Sequence, residues 1–383
     1  MAPVDPVELT RELVRCPSVT PAAEGALDVV QRTLDGLGFA CRRLPFASPG
    51  KARIDNLYAR IGDGAPNLLF AGHVDVVPPG DRAAWSVDPF AGELKDGMVW
   101  GRGAADMKSG VACFIAAAGA YLAAHGRPPG SISLLITGDE EADAVDGTEK
   151  VLAWMAEQGE RFDACIVGEP TCPQVLGDVA KIGRRGSASA TLVAHGKQGH
   201  TAYPHRADNA AHRIVRMLHA LTETPLDAGT AHFEPSTLQV TTIDVGNPAG
   251  NVVPARASAR FNIRYNDLHD AESLERWVRE RCDSVGGPYE LTFASSGDAF
   301  VTAPGRLSQL LGDAVEAVCG RRPELNTSGG TSDARFVRHF GPVIEFGLVG
   351  ATMHQADERV TVNDIRDLTR IYTTFLERWF SAR

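Results

Sequence analysis

The chain has 383 residues, with 38 Lys+Arg against 48 Asp+Glu and a formal net charge of −10. That length exceeds what one ordinary hydrophobic core supports, so two domains are the starting expectation. A hydrophobic fraction of 44% with 22% charged residues excludes a disordered chain and a membrane protein, and the acidic balance excludes nucleic acid or an anionic membrane as partner.

Asp5-Pro6-Val7-Glu8 reads as a capping box with proline at the first helical position, opening a helix to about Arg15. Runs at 56–61, 68–77, 132–137 and 164–167 are predicted strands, and helices at 107–125 and 147–158 fall between them. Apolar strands alternating with helices imply an α/β fold on a largely parallel sheet. The apolar run 111–124 is too short for a bilayer and reads as a buried helix. Near Lys181 the pattern changes. Strands at 187–194, 236–245 and 258–265 with helices at 208–221 and 271–285 describe a compact α+β insert. After Gly297 come helices 306–318, 333–339 and 364–379 and a strand at 343–346. The expected organisation is a catalytic domain, 1–181 and 298–383, interrupted by an inserted domain, 182–297.

Seven cysteines (Cys16, Cys41, Cys113, Cys165, Cys172, Cys282, Cys319) are scattered, odd in number and never in a C-x-x-C pair. That pattern is neither a disulfide framework nor a zinc ribbon, and it fits a reducing cytoplasm. The N-terminus shows no cationic stretch leading into an apolar one, so no signal peptide is expected.

The chemistry-bearing residues fall at predicted strand ends, where open α/β sheets place their ligands. Gly72-His73-Val74-Asp75 ends the 68–77 run, and an i, i+2 spacing lets Asp75 lie beside the His73 imidazole. Trp100-Gly-Arg-Gly-Ala-Ala-Asp106-Met-Lys delivers Asp106 just before a helix, where an N-cap is the plainer explanation. Thr137-Gly-Asp139-Glu140-Glu141 places three acids after a strand; such repelling neighbours are a solvated loop or bind a cation. Val167-Gly-Glu169-Pro and Met353-His354-Gln355 complete five strand ends. Imidazole with carboxylate suits zinc or a neighbouring first-row metal, and one carboxylate can bridge two ions about 3.5 Å apart.

These motifs together resemble the M20 family of zinc peptidases and deacylases. Further likeness lies in Ile182-Gly-Arg184-Arg-Gly-Ser187, Gly196-Lys-Gln-Gly-His200-Thr-Ala-Tyr203, Phe261-Asn-Ile-Arg264 and Ser328-Gly-Gly330-Thr331-Ser332-Asp-Ala-Arg335. The resemblance covers nearly the whole chain. It implies a zinc-peptidase-like domain on a mixed, mostly parallel sheet, interrupted by a two-layer α+β lid through which the protein forms a homodimer. It also implies two Zn²⁺ per subunit, with Co²⁺ as an alternative at one site. His73, Asp106 and Glu169 would hold one ion, and Asp106, Glu141 and His354 the other. Glu140 would be the general base, Asp75 would orient His73, and His200 would stabilise the oxyanion across the dimer interface. The implied substrate is a small anion: a succinyl amide of a diamino dicarboxylic acid, recognised by Arg184, Ser187, Tyr203, Asn251, Arg264, Gly330 and Thr331. Gly330-Thr331-Ser332 runs into a short helix whose N-terminal N–H groups could hold a carboxylate. Family members that remove acetyl groups, other aminoacylases and carboxypeptidases are the alternative. A catalytically silent relative would lack a metal or base residue, and none is missing. The resemblance further implies an unusual, cis peptide after Asp106. The five carboxylates Asp75, Asp106, Glu140, Glu141 and Glu169 give an empty pocket about −5, which two Zn²⁺ ions bring to about −1.

Overall fold

The computed structural model describes residues 3–381; Met1, Ala2, Ala382 and Arg383, at the outer ends of the expected 1–181 and 298–383 segments, lie outside the described residues. Two compact units form. The first contains the chain up to Gly183, Thr302–Asn326 and the chain from Ser332 onward; the second contains Arg184–Val301 and Thr327–Thr331. The insert is therefore displaced by a few residues from 182–297, and it takes in a short segment that the sequence assigns to the catalytic domain.

The first unit is built on an eight-stranded sheet in the order Ala40–Arg43, Leu57–Gly62, Ser131–Thr137, Asn67–His73, Ala164–Val167, Val343–Glu345, Val179–Lys181, Glu324–Asn326. Four of its pairings are parallel. Three are antiparallel, two of them at the edge begun by Ala40–Arg43. Asn67–His73 and Ser131–Thr137 are buried at every position, the signature of strands covered on both faces.

Asp5 does cap the first helix, Pro6–Val14, by accepting from the Val7 N–H at 2.9 Å. Glu8 does not close a capping box; it pairs with Arg11 one turn on, at 2.6 Å. The helix Ala26–Gly36 and the strand Ala40–Arg43 carry no sequence signal of the expected kind. The helix starts from Gly25 at φ 81 with no side-chain cap, and the strand is a partly exposed edge rather than an apolar run.

The core centres on the helix Ser109–His125, which is buried on nearly all sides. With the preceding turn it is long and apolar enough to cross a membrane by length and composition, but 83% of its most apolar stretch is buried inside the unit. Phe114 stacks on Phe70 at 4.2 Å between centroids, and Tyr372 meets both rings edge-on. The Tyr372 hydroxyl donates to the Phe346 carbonyl at 2.6 Å, so its one polar atom is satisfied in the dry interior.

The second unit holds a four-stranded antiparallel sheet in the order Thr237–Asp244, Arg256–Tyr265, Gly186–His195, Tyr289–Gly297. Helices Ala210–Thr222 and Ala271–Val285 cover one face, closing a core around Leu192, Phe261, Ile263, Met217 and Val278. Because successive strand residues alternate faces, the register pairs Ser187 with Arg264 and Ser189 with Asn262 on the opposite, polar face.

Candidate metal centre

Parallel register explains why distant residues meet. Asn67–His73 pairs in parallel with Ser131–Thr137 and with Ala164–Val167, so three strands deliver their C-terminal ends to one sheet edge. His73 is the last residue of its strand and lies opposite Thr137. Gly138-Asp139-Glu140-Glu141 follows Thr137, and Gly168-Glu169 follows Val167. Gly168 is required by close approach: a Cβ there would stand 2.4 Å from Phe70 and 2.8 Å from Met107.

Asp106 is not a helix N-cap. The helix Ser109–His125 begins from Lys108, which makes no side-chain cap bond, and Asp106 sits in the preceding wide turn with φ −126 and ψ 100. The peptide between Asp106 and Met107 is cis. The Asp106 carboxylate stands between two imidazoles. Its Oδ1 is 3.2 Å from His73 Nε2 and its Oδ2 is 3.4 Å from His354 Nε2. Glu169 Oε1 lies 3.8 Å from His73 Nε2, and Glu141 Oε1 lies 3.0 Å from His354 Nε2. Two triplets, His73–Glu140–Glu169 and His73–Asp106–Glu141, each offer ligand atoms all within 4.8 Å of one another.

Asp75 acts differently from the i, i+2 expectation. The close partner of His73 Nδ1 is the backbone carbonyl of Asp75 at 2.9 Å, with the carboxylate farther off at 3.6 Å. A carbonyl only accepts, so Nδ1 carries a hydrogen and Nε2 is the atom that faces the cluster: without metal it donates to Asp106, and on loss of that proton its lone pair is free for an ion. The Asp75 carboxylate instead accepts from the N–H groups of Glu140 and Glu141 at 3.0–3.3 Å, holding the acidic loop. Asp139, the first of the three acids, is neither solvated nor among the clustered ligand groups. It accepts from the N–H groups of Ala144, Val145 and Asp146 and braces the same loop.

The electrostatics are those of a cluster short of positive charge. Burial, with Asp106 nearby, pushes the Glu169 carboxyl well above its usual range. Burial raises Glu140 to about 8 against the pull of His73, and it raises Asp75 to about 6. Burial would raise Asp106 too, but hydrogen bonds from His354 and His73 hold it below the usual carboxylate range. Those bonds, with Glu141, push His354 up to about 10. Protons thus occupy part of the cluster, and the count of −5 for an empty pocket overstates its charge. Imidazole nitrogen and carboxylate oxygen converging where water is scarce are the donor set of zinc. The residues present fit a first-row metal centre, with the Asp106 carboxylate standing between the two imidazoles.

A pH dependence follows. The folded-state pKa values of Glu140, Asp75 and His354 all lie above their ordinary values of 4.5, 3.8 and 6.5. Such groups contribute stability that is full below the ordinary value and lost as pH rises through the folded one. Chelator-treated protein is therefore expected to melt at a lower temperature at about pH 9 than at about pH 6, and added zinc should remove most of the difference. An equal midpoint at both pH values would contradict this electrostatic picture.

The remaining predicted residues lie on the second unit. Arg184 is buried and its Nη1 donates to the Gly330 carbonyl at 3.0 Å. Ser187 accepts from Asn262 at 3.3 Å. Arg264, opposite Ser187, finds no hydrogen-bond acceptor among the described residues; burial and the neighbouring Arg185 lower its pKa. His200 and Asn251 adjoin each other, through the short pairing of Gly199–His200 with Val252–Val253 and a bond from the Thr201 N–H to the Asn251 carbonyl. Tyr203 is exposed, with its ring 5.7 Å from that of His200. The helix after Gly330-Thr331-Ser332 begins only at Ala334 and is four residues long. Gly330 and Thr331 therefore do not form its N-terminal turn, and a carboxylate held there by helix N–H groups is not supported.

Sequence reasoning missed three buried groups bordering the cluster: Arg102, Asp333 and Glu358. Asp333 helps raise Glu140, and its Oδ1 has no hydrogen-bond partner among the described residues. Arg102 stood inside a quoted motif, but Glu358 lies in the run Asp357-Glu358-Arg359, which looks like a solvated face. Of the histidines outside these motifs, His125, His195, His219 and His269 each sit beside an acid.

Residues 69–378 match the sequence profile of Peptidase family M20/M25/M40. The chain is 65% identical over 382 residues to a succinyl-diaminopimelate desuccinylase of Rhodospirillum centenum, covering 100% of this chain and 99% of that protein. It is 56% identical over 390 residues to the protein of the same name from Rhodospirillum rubrum, covering 99% of each. Among solved structures, a dinuclear metal-binding peptidase of the M20 family from Bacillus subtilis matches 98% of this chain and 97% of its own at 14% identity, with a TM-score of 0.69. That last likeness is one of fold.

Proposed function

The chain belongs to peptidase family M20/M25/M40, and on that footing we propose that it is a two-zinc amide hydrolase converting N-succinyl-LL-2,6-diaminopimelate to succinate and LL-2,6-diaminopimelate. This reaction serves bacterial lysine and diaminopimelate biosynthesis. The observation that carries the reading is Asp106, whose two carboxylate oxygens each face the Nε2 of a different histidine. Full-length identity of 65% to a desuccinylase supports the substrate.

His73, Asp106 and Glu169 would hold one ion, and Asp106, Glu141 and His354 the other. When bound, the metal pair supplies Lewis acidity for the amide carbonyl and for the attacking water. Glu140 takes the water proton as the oxygen bonds to the succinyl carbonyl carbon, then returns it to the amine as the C–N bond breaks. Its half-buried setting keeps it basic enough for that exchange. His200 has its Nδ1 engaged by the Ala202 N–H, and among the described residues its Nε2 has no partner. Its assignment to the oxyanion rests on the family resemblance.

The free carboxylates of the substrate call for cations. Among the described residues Arg264 has no hydrogen-bond acceptor of its own; it stands beside Arg185 and opposite Ser187, and a forked carboxylate contact would satisfy it. Arg184, Tyr203, Asn251, Gly330 and Thr331 complete the proposed recognition set. The homodimer is proposed through the insert, whose edge strand Thr237–Asp244 is largely exposed and which carries exposed Val215, Ile243 and Val245. Light scattering at micromolar concentration that gave a monomer mass would count against it. All seven cysteines are free, which suits the proposed cytoplasmic setting.

The test is hydrolysis of succinyl-diaminopimelate beside N-acetylornithine, with chelated and zinc-restored protein. Zinc-dependent turnover of the succinyl substrate in clear preference is the expected result. A preference for the acetyl substrate would replace this reading with that of another family deacylase.

A further inference from the structure

The cluster is tied together from behind by a buried ion pair. Glu358 is fully buried and Arg102 nearly so. Arg102 Nη1 donates to Glu358 Oε2 at 2.5 Å. The other Glu358 oxygen accepts from the N–H groups of Ala105 and Asp106, at 2.8 and 3.2 Å. It thereby anchors the backbone that carries the shared carboxylate. The guanidinium also donates to the carbonyls of Gln355 at 3.2 Å and His354 at 3.4 Å, and it lies over the Trp85 ring. The Gly101 N–H closes the circuit by donating to the Glu358 carbonyl at 2.8 Å.

The His354 segment needs such a hold. His354 has φ 62 and Asp357 φ 60, left-handed conformations that non-glycine residues keep only when their surroundings impose them. The His354 side chain is half exposed, so packing does little to fix it. Its separation from Asp106 is set largely by backbone, and Arg102 and Glu358 grip both stretches of backbone.

We propose that Arg102 and Glu358 are positioning residues that set the spacing of Asp106 and His354 and so tune the affinity of the second metal position, the one formed with Glu141. This rests on the reading of those three residues as ligands. Neither member of the pair touches metal or substrate in this account; the guanidinium acts through the 354–355 carbonyls and the carboxylate through the 105–106 N–H groups. An ion pair suits the task because each partner offers several directed bonds and leaves its counter-charge close by.

The experiment is a calorimetric zinc titration of chelator-treated full-length protein, with metal content after dialysis as a second measure. The variants are Arg102→Lys, Glu358→Gln, the double Arg102→Met/Glu358→Gln, and His354→Ala as reference. Wild type should take two zinc ions and His354→Ala one tight ion; any other outcome for these two defeats the ligand reading itself. The brace variants should bind the first ion within about threefold of wild type and the second about 10–100-fold more weakly. Arg102→Lys, which keeps the charge but not the fork, should fall between wild type and the double variant. The double variant leaves no buried charge unpaired, so it guards against simple failure to fold. Equal weakening of both positions would show a general structural role, and second-ion affinity within threefold of wild type in all three brace variants would overturn the proposal.

Discussion

Glu140→Gln is expected to bind two zinc ions and to lose about 10²–10⁴-fold in kcat, with KM little changed. The substitution keeps the shape and hydrogen-bonding reach of the side chain but removes its capacity to take a proton. Glu141→Ala is expected to lose metal as well, because Glu141 Oε1 stands 3.0 Å from His354 Nε2. The contrast separates two readings of neighbouring acids. Glu140 also lies within ligand distance of His73 and Glu169, so a structural ligand in that position would drop zinc when made an amide. Metal content by emission spectroscopy beside steady-state kinetics decides between them. Normal turnover by Glu140→Gln would remove it from the mechanism. The loop itself should survive either change, since it is held by Asp75 and Asp139 through backbone N–H groups.

Asp106→Asn should have the larger effect on metal. One carboxylate faces both histidines, and an amide offers one oxygen and no charge in its place. The expected loss of zinc affinity exceeds the roughly 10–100-fold typical of an outer-shell partner, at both positions together, and turnover should fall to background. Retention of two tight zinc ions by this variant would show that Asp106 is not shared. The experiment also tests the charge balance, because burial raises Glu169 and Glu140. Those carboxyls hold protons until cations displace them, so zinc uptake should release protons, and pH-indicator titration can count them.

Much of this architecture was legible in the chain. The strands 132–137 and 164–167 and the helix 271–285 announce themselves because burial on both faces demands unbroken apolar runs, and an amphipathic helix demands its period. The structure places Ser131–Thr137, Ala164–Val167 and Ala271–Val285 there. The candidate ligand types were legible for a different reason: His73, Glu141 and Glu169 stand at or shortly after the ends of such runs, where turn residues must follow. What failed was whatever lacked a local signature. The edge strand Tyr289–Gly297 alternates between half-buried and exposed and so gives no apolar run. Glu358 sits in a charged triplet that only a fold can bury.

The sequence by itself determined which residues could do chemistry, that two domains alternate along the chain, and that the negative surplus supplies carboxylates to a site. It did so because residue type and local periodicity are properties of neighbours in the chain. Tertiary structure alone decided which of those carboxylates face one another. Asp106 and His354 are brought within 3.4 Å, although 248 positions (354 − 106) separate them in sequence. It also decided that Asp139 braces a loop, that Asp75 holds His73 by its carbonyl rather than its carboxylate, and that the pocket carries fewer charges than its formula. These are consequences of burial and parallel register, which no stretch of sequence contains.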